Sequence, residues 1–151
     1  SRLGALLRAK PALAGGSAGQ VPLPPMKRLR VLIAEDNTVN QLVARRMLER
    51  AGHRVDCVPD GAQAVSRYQS QHYDVIFMDV QMPQMDGCEA ARQIREVEKT
   101  HGGHVCIVAL TAHVQAGDRA RCLQAGMDHH LGKPLQFHEL YSLLSERFPA
   151  V

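Results

Sequence analysis

Five short apolar runs, each followed by a stretch with helical spacing, leave this chain few ways to fold. The runs are "RVLIAE" (30–35), "RVDCV" (54–58), "DVIFMD" (74–79), "VCIVALT" (105–111) and, by position more than by propensity, "DHHLGK" (128–133). Helical patterns lie at 38–51, 61–70, 87–99, 116–125 and 135–147. In the first of these, Val39, Leu42, Val43, Leu48 and Ala51 are expected to form one apolar face. Capping boxes are expected at Thr38-x-x-Gln41, Asp60-x-x-Gln63 and Asp86-x-x-Glu89, and Gly52, Gly102 with Gly103, and Gly126 supply helix stops. Strand and helix alternating with short connections predict a parallel sheet covered on both faces, a doubly wound α/β domain.

A core of this kind needs aliphatic side chains, and 45% of the 151 residues are hydrophobic while only 4% are aromatic. Met78, Met82, Met85 and Met127 are read as packing residues. Cys57, Cys88, Cys106 and Cys122 are scattered without a CxxC pair, which suits a reduced, cytoplasmic setting. No apolar run is long enough to span a membrane, so membrane contact by this segment is not expected, although a parent protein could be anchored.

The net charge of +3 divides unevenly. Residues 1–30 hold six basic groups and no acid, leaving 12 basic against 15 acidic residues in the remainder. A net of −3 there argues against nucleic-acid contact. The Gly-, Ala- and Pro-rich residues 1–28 read as a flexible linker or tail, with the folded domain at 29–151. Arg8 and Lys10 interrupt any signal-peptide core, and the start at Ser1 favours a linker from a neighbouring domain.

In a parallel sheet the strands' C-terminal ends share one edge, where open α/β folds place their sites. That edge should gather Glu35, Asp36, Asp79, Thr111 and Lys133. Three neighbouring carboxylates raise one another's pKa unless a counter-charge is present. Oxygen-only ligands favour Mg2+, and Lys133 offsets the remaining charge. Asp79 can then act as a nucleophile toward a phosphoryl group gripped by the metal, Lys133 and the Thr111 hydroxyl. Taken singly, each residue is as well explained as a cap, a turn residue or a strand end.

The stretches "VLIAEDNTVNQ", "DVIFMDVQMPQMDG", "IVALTA" and "AGMDHHLGKP" together resemble the response-regulator receiver domains of two-component signalling, most of all those of hybrid sensor histidine kinases. The resemblance covers about residues 30–148 and implies a flavodoxin-like, five-stranded sheet in the order 2-1-3-4-5. It implies that Asp79 accepts phosphate from a phosphohistidine of a histidine kinase or a histidine phosphotransfer domain. It also implies that Asp36, Asp79 and the Gln81 backbone carbonyl bind Mg2+, with Glu35 acting through a metal-bound water. Thr111 and Lys133 would contact the phosphoryl group, and output would run through the fourth helix, fifth strand and fifth helix. A homodimer is compatible with this reading.

His130 departs from the pattern by standing where receivers carry a Tyr or Phe switch, three residues before the lysine. Gln81 and His113 flank the expected path of hydrolytic water and are expected to set the phosphate's lifetime. Three rival classes remain: a docking module that is never phosphorylated, a Mg2+-dependent phosphohydrolase and a flavin-binding domain. The phosphohydrolase lacks its second carboxylate, because Gln81 occupies that place, and "EDNTVN" is too acidic and Gly-poor to cradle a flavin phosphate.

Overall fold

The computed structural model describes residues 27–80, 82, 85–112 and 116–148, with backbone only at 116–119. Five strands, β1 (Arg30–Ala34), β2 (Arg54–Val58), β3 (Val75–Asp79), β4 (Cys106–Thr111) and β5 (His129–Gly132), alternate with five helices. The helices are α1 (Thr38–Arg50), α2 (Gly61–Ser70), α3 (Gly87–His101), α4 (Ala116–Gln124) and α5 (Phe137–Arg147). All strand pairs are parallel, in the order β2-β1-β3-β4-β5. The doubly wound sheet expected from the alternation is the one observed.

Period-two alternation sorts the strand residues into two cores. Leu32, Ile76, Met78, Ile107 and Ala109 pack with Ala64, Ala90, Ile94 and Cys122 on the α2–α4 side. Val31, Ile33, Val75, Phe77 and Val108 pack with Ala44, Leu48, Leu140 and Leu144 on the α1 and α5 side. Because helices cover both faces, all five residues of β3 are buried. Met78 and Met127 lie in the core, and Met82 and Met85 pack against it as expected.

Two local expectations are overturned. Val39, Leu42 and Val43 are exposed at 66%, 47% and 43%, while Ala44 and Leu48 are the buried residues of α1. At 3.6 residues per turn, Val39 and Leu42 fall on the side away from Leu48, so the apolar positions make two stripes rather than one. The first cap is also one residue early: Asn37, not Thr38, accepts from the Asn40 N–H, at 3.0 Å. Its side chain reaches the third helical N–H, whereas Thr38 is already inside the first turn. Asp60 and Asp86 cap α2 and α3 as expected, accepting from Gln63 and Glu89.

The sheet's N-terminal edge is tied by Arg95 of α3. Its guanidinium binds Glu98 and Asp128, each at 2.8 Å, and donates to the carbonyls of Gly126 and Val105. Glu98 also accepts from the Tyr68 hydroxyl and the Val105 N–H, and Asp128 from the Ile107 N–H. Burial alone would raise the Asp128 carboxyl, but its hydrogen bonds from His104 and Ile107 and the Arg95 charge outweigh that and hold it below its ordinary value.

Candidate functional site

The register of the central strands builds the opposite edge. Ala34 pairs with Met78, Asp79 with Leu110 and Thr111 with Gly132, so the chain segments leaving β1, β3, β4 and β5 emerge together. Side-chain alternation places Glu35 on the parity of Val31 and Ile33, and Asp79 on that of Val75 and Phe77, facing α1. Glu35, Asp36 and Asp79 each present a carboxylate oxygen within 4.8 Å of the others'. Glu35 and Asp79 are buried at 2% and 3% exposure, while Asp36 is open to solvent.

Lys133 lies between the two buried carboxylates. Its Nζ is 2.8 Å from Asp79 Oδ2 and 3.0 Å from Glu35 Oε1. Burial alone would lower the ammonium's pKa, but hydrogen bonding and attraction from Asp79 and Glu35 outweigh it and raise the group above its ordinary value. Lys133 is therefore charged throughout the neutral range. Thr111 is buried at the end of β4, and its carbonyl accepts the Lys133 N–H at 2.9 Å. Sequence reasoning brought Glu35, Asp36, Asp79, Thr111 and Lys133 to this edge, and the structure brings them together there. One ammonium faces three carboxylates, and an all-oxygen donor set short of positive charge fits a hard divalent cation.

Three neighbours were not assigned to the site from the sequence, Gln41 being expected only as a capping partner of Thr38. Asn37 donates its N–H to Glu35 Oε2 at 3.1 Å, and Gln41 donates its side-chain amide to the Glu35 carbonyl, so α1's first turn holds the acidic loop in place. Gly87 is the third. A Cβ built there would stand 2.3 Å from the Asp79 carbonyl oxygen and 2.9 Å from Met78 Cγ. Only a residue without Cβ lets α3 begin directly beneath the Asp79 backbone. The close approach is a long-range contact that no local pattern announces.

Residues 31–145 match the response regulator receiver domain family. The chain belongs to that family. Among solved structures this receiver domain is similar to one from a Pseudomonas aeruginosa sensor histidine kinase. That match has 46% identity and a TM-score of 0.72 and covers 80% of this chain and 97% of that one; the relative holds a magnesium ion in its active-site cleft. It also resembles, at 34% identity and a TM-score of 0.78, a co-crystal structure from Saccharomyces cerevisiae, with 81% of this chain and 90% of that chain covered. That complex joins the histidine phosphotransfer protein Ypd1 to the receiver domain of its downstream response regulator Ssk1. Hybrid signal transduction histidine kinase K of Dictyostelium discoideum is 40% identical over 125 residues, covering 80% of this chain and 10% of that protein. Hybrid signal transduction histidine kinase I of the same organism is 37% identical over 138 residues, covering 87% of this chain and 8% of that protein. The receiver domain thus spans a small part of the length of these curated relatives.

His130 of the receiver domain is half-buried on β5, paired in register with Ala109. Its neighbour His129 instead borders a groove with His138 and Ser142 of α5, as opposite pleats require. Gln81 and His113, expected to tune phosphate lifetime, and the Gln81 carbonyl, expected to bind metal, lie outside the described residues, as do linker residues 1–26. Among the described residues no helix is long and apolar enough to cross a membrane.

Proposed function

We propose that the receiver domain takes a phosphoryl group onto Asp79 from a phosphohistidine of a histidine kinase or histidine phosphotransfer domain. One observation carries this reading: a buried carboxylate at a strand end, 2.8 Å from Lys133 and within 4.8 Å of two further carboxylates. In the step, an Asp79 carboxylate oxygen forms a bond to phosphorus while the phosphorus–nitrogen bond breaks. The electron pair returns to the donor imidazole. Lys133 transfers its hydrogen bond from the carboxylate to a phosphoryl oxygen, and the Thr111 hydroxyl holds another.

Asp36 and Asp79, with Glu35 through water and the Gln81 carbonyl, would hold Mg2+. Bound there, the ion would neutralise charge that develops on the phosphoryl oxygens. Slow hydrolysis, tuned by Gln81 and His113, would return the domain to rest. Between those events the surface of α4, β5 and α5 would change, with His130 at the position where the change is relayed.

The exposed Val39, Leu42 and Val43 lie on the helix whose first turn holds the acidic loop. A cavity of about 350 Å3 beside them is lined by Val43, Leu110, Lys133, Pro134 and Leu135. Both support an approach of the phosphodonor over α1. Four free cysteines suit a cytoplasmic setting for the domain.

The test is intact mass after incubation with a small acyl phosphate, with and without Mg2+, beside Asp79→Asn. A single phosphoryl adduct that requires Mg2+ and is absent from the variant is expected. No adduct, either from this donor or from a phosphohistidine protein, would leave an unphosphorylated docking module. Multiple turnover of phosphomonoesters would instead make the domain a phosphohydrolase.

A further inference from the structure

A second polar cavity lies at the sheet's N-terminal edge, away from Asp79. It measures about 350 Å3 and is lined by Arg28, Arg30 and Arg54, by the acids Glu49 and Asp56, and by His53. Arg67 holds the cavity's own Asp56, while Arg92 and Arg95 hold carboxylates elsewhere. Among the described residues, the three arginines of this cavity form no ion pair. Asp56 is already engaged by the Tyr73 hydroxyl at 2.7 Å and by Arg67 at 3.7 Å. The cavity wall is therefore positive on balance, with guanidinium donors to spare.

His53 makes the cavity more specific. It is buried at 4% exposure, and its Nδ1 accepts the Leu29 N–H at 3.0 Å. That bond requires the ring proton to be on Nε2. Nε2 is buried and has no partner among the described residues. A buried N–H without an acceptor costs roughly what a lost hydrogen bond does, so a small turn of the ring that brings Nε2 to an oxygen in the cavity is favoured. The chain's own tail is poorly suited to provide one from a side-chain anion, because residues 1–26 contain no acidic residue.

We propose that this cavity binds a small oxyanion, a phosphate or phosphomonoester group, through Arg28, Arg30 and Arg54, with one oxygen on the His53 Nε2–H. Because Arg28 and Leu29 are where the chain enters the domain, the bound anion would fasten the linker to the sheet edge. This site is independent of phosphoryl transfer at Asp79.

The test is a titration of the whole chain with inorganic phosphate, without Mg2+, followed by amide and imidazole nitrogen resonances. Potassium chloride at matched ionic strength is the control. Saturable shifts at Leu29, His53 and Arg54, including His53 Nε2, are expected. Arg28→Gln and Arg54→Gln, both at exposed positions, should each weaken the response about tenfold. The proposal is overturned if chloride gives the same shifts, if both variants bind as the wild type does, or if the His53 Nε2 resonance stays put at saturation. Shifts confined to Asp79, Thr111 and Lys133 would also overturn it, since they would place the phosphate at the other edge. Loss of phosphoryl uptake at Asp79 leaves these readouts unaffected, so the two readings can fail separately.

Discussion

The two edges of this sheet use the same chemistry to opposite ends. At the N-terminal edge, Arg95 sits against two carboxylates, and their oxygens take further hydrogen bonds from Tyr68, His104, Val105 and Ile107. Burial, followed by the bond to Glu98, pushes the Tyr68 phenol up to about 12, so it stays a donor. At the C-terminal edge, Lys133 faces three carboxylates with one ammonium. The first arrangement is a clamp across α3, β4 and β5. The second retains surplus negative charge, which suits it to a hard divalent cation. Saturation makes structure here, and shortage makes a site.

The comparison breaks most visibly if the clamp can be removed cheaply. Arg95→Met should cost about 4 kcal/mol of stability, because it strands two largely buried carboxylates. Urea unfolding measures this, and a loss below about 1 kcal/mol would show that the network is ornamental. The site edge should respond in the other direction. At a hundredfold excess over its dissociation constant, Mg2+ should add about 2.7 kcal/mol to the wild type. Asp79→Asn should lose most of that gain and Arg95→Met should keep it. Equal gains in all three chains would mean that the ion binds elsewhere.

The smallest effect is a slope. Burial pushes His53 below its ordinary value, outweighing the opposing charge of Asp74. The unfolded chain then binds this proton at higher pH than the folded one. The His53 contribution is fully present above the unfolded value of about 6.5 and is lost as pH falls from there toward the lower folded value. His53→Gln keeps an acceptor for the Leu29 N–H and should flatten the stability profile below about pH 6.5. An unchanged slope would assign it to other groups.

Much of this was legible along the chain. The alternation of runs and helices named the sheet, and strand ends ordered the carboxylates, because position within a parallel strand is a local property. Asp60 and Asp86 announced their helices by side chains that act only three residues away. The α1 face was not legible, since Val39, Leu42 and Leu48 are all apolar and only the seating of the helix tells which of them meets the sheet. The clamp was hidden for a related reason: Tyr68, the pair Arg95 and Glu98, and Asp128 come from three separate segments and carry no shared motif.

What the sequence by itself determined is the order of elements and which residues gather at the strands' C-terminal ends, because both follow from periodicities of two and 3.6 residues. β1 and β5 close at Ala34 and Gly132, one residue before the expected Glu35 and Lys133. What only the tertiary structure decided is which charges are compensated. Lys133 and Asp79 are 54 positions apart in sequence and 2.8 Å apart in space, and Gly87 must lack a side chain because the Asp79 carbonyl lies against it. Compensation depends on distances across the sheet, and those are set by packing rather than by any stretch of neighbours.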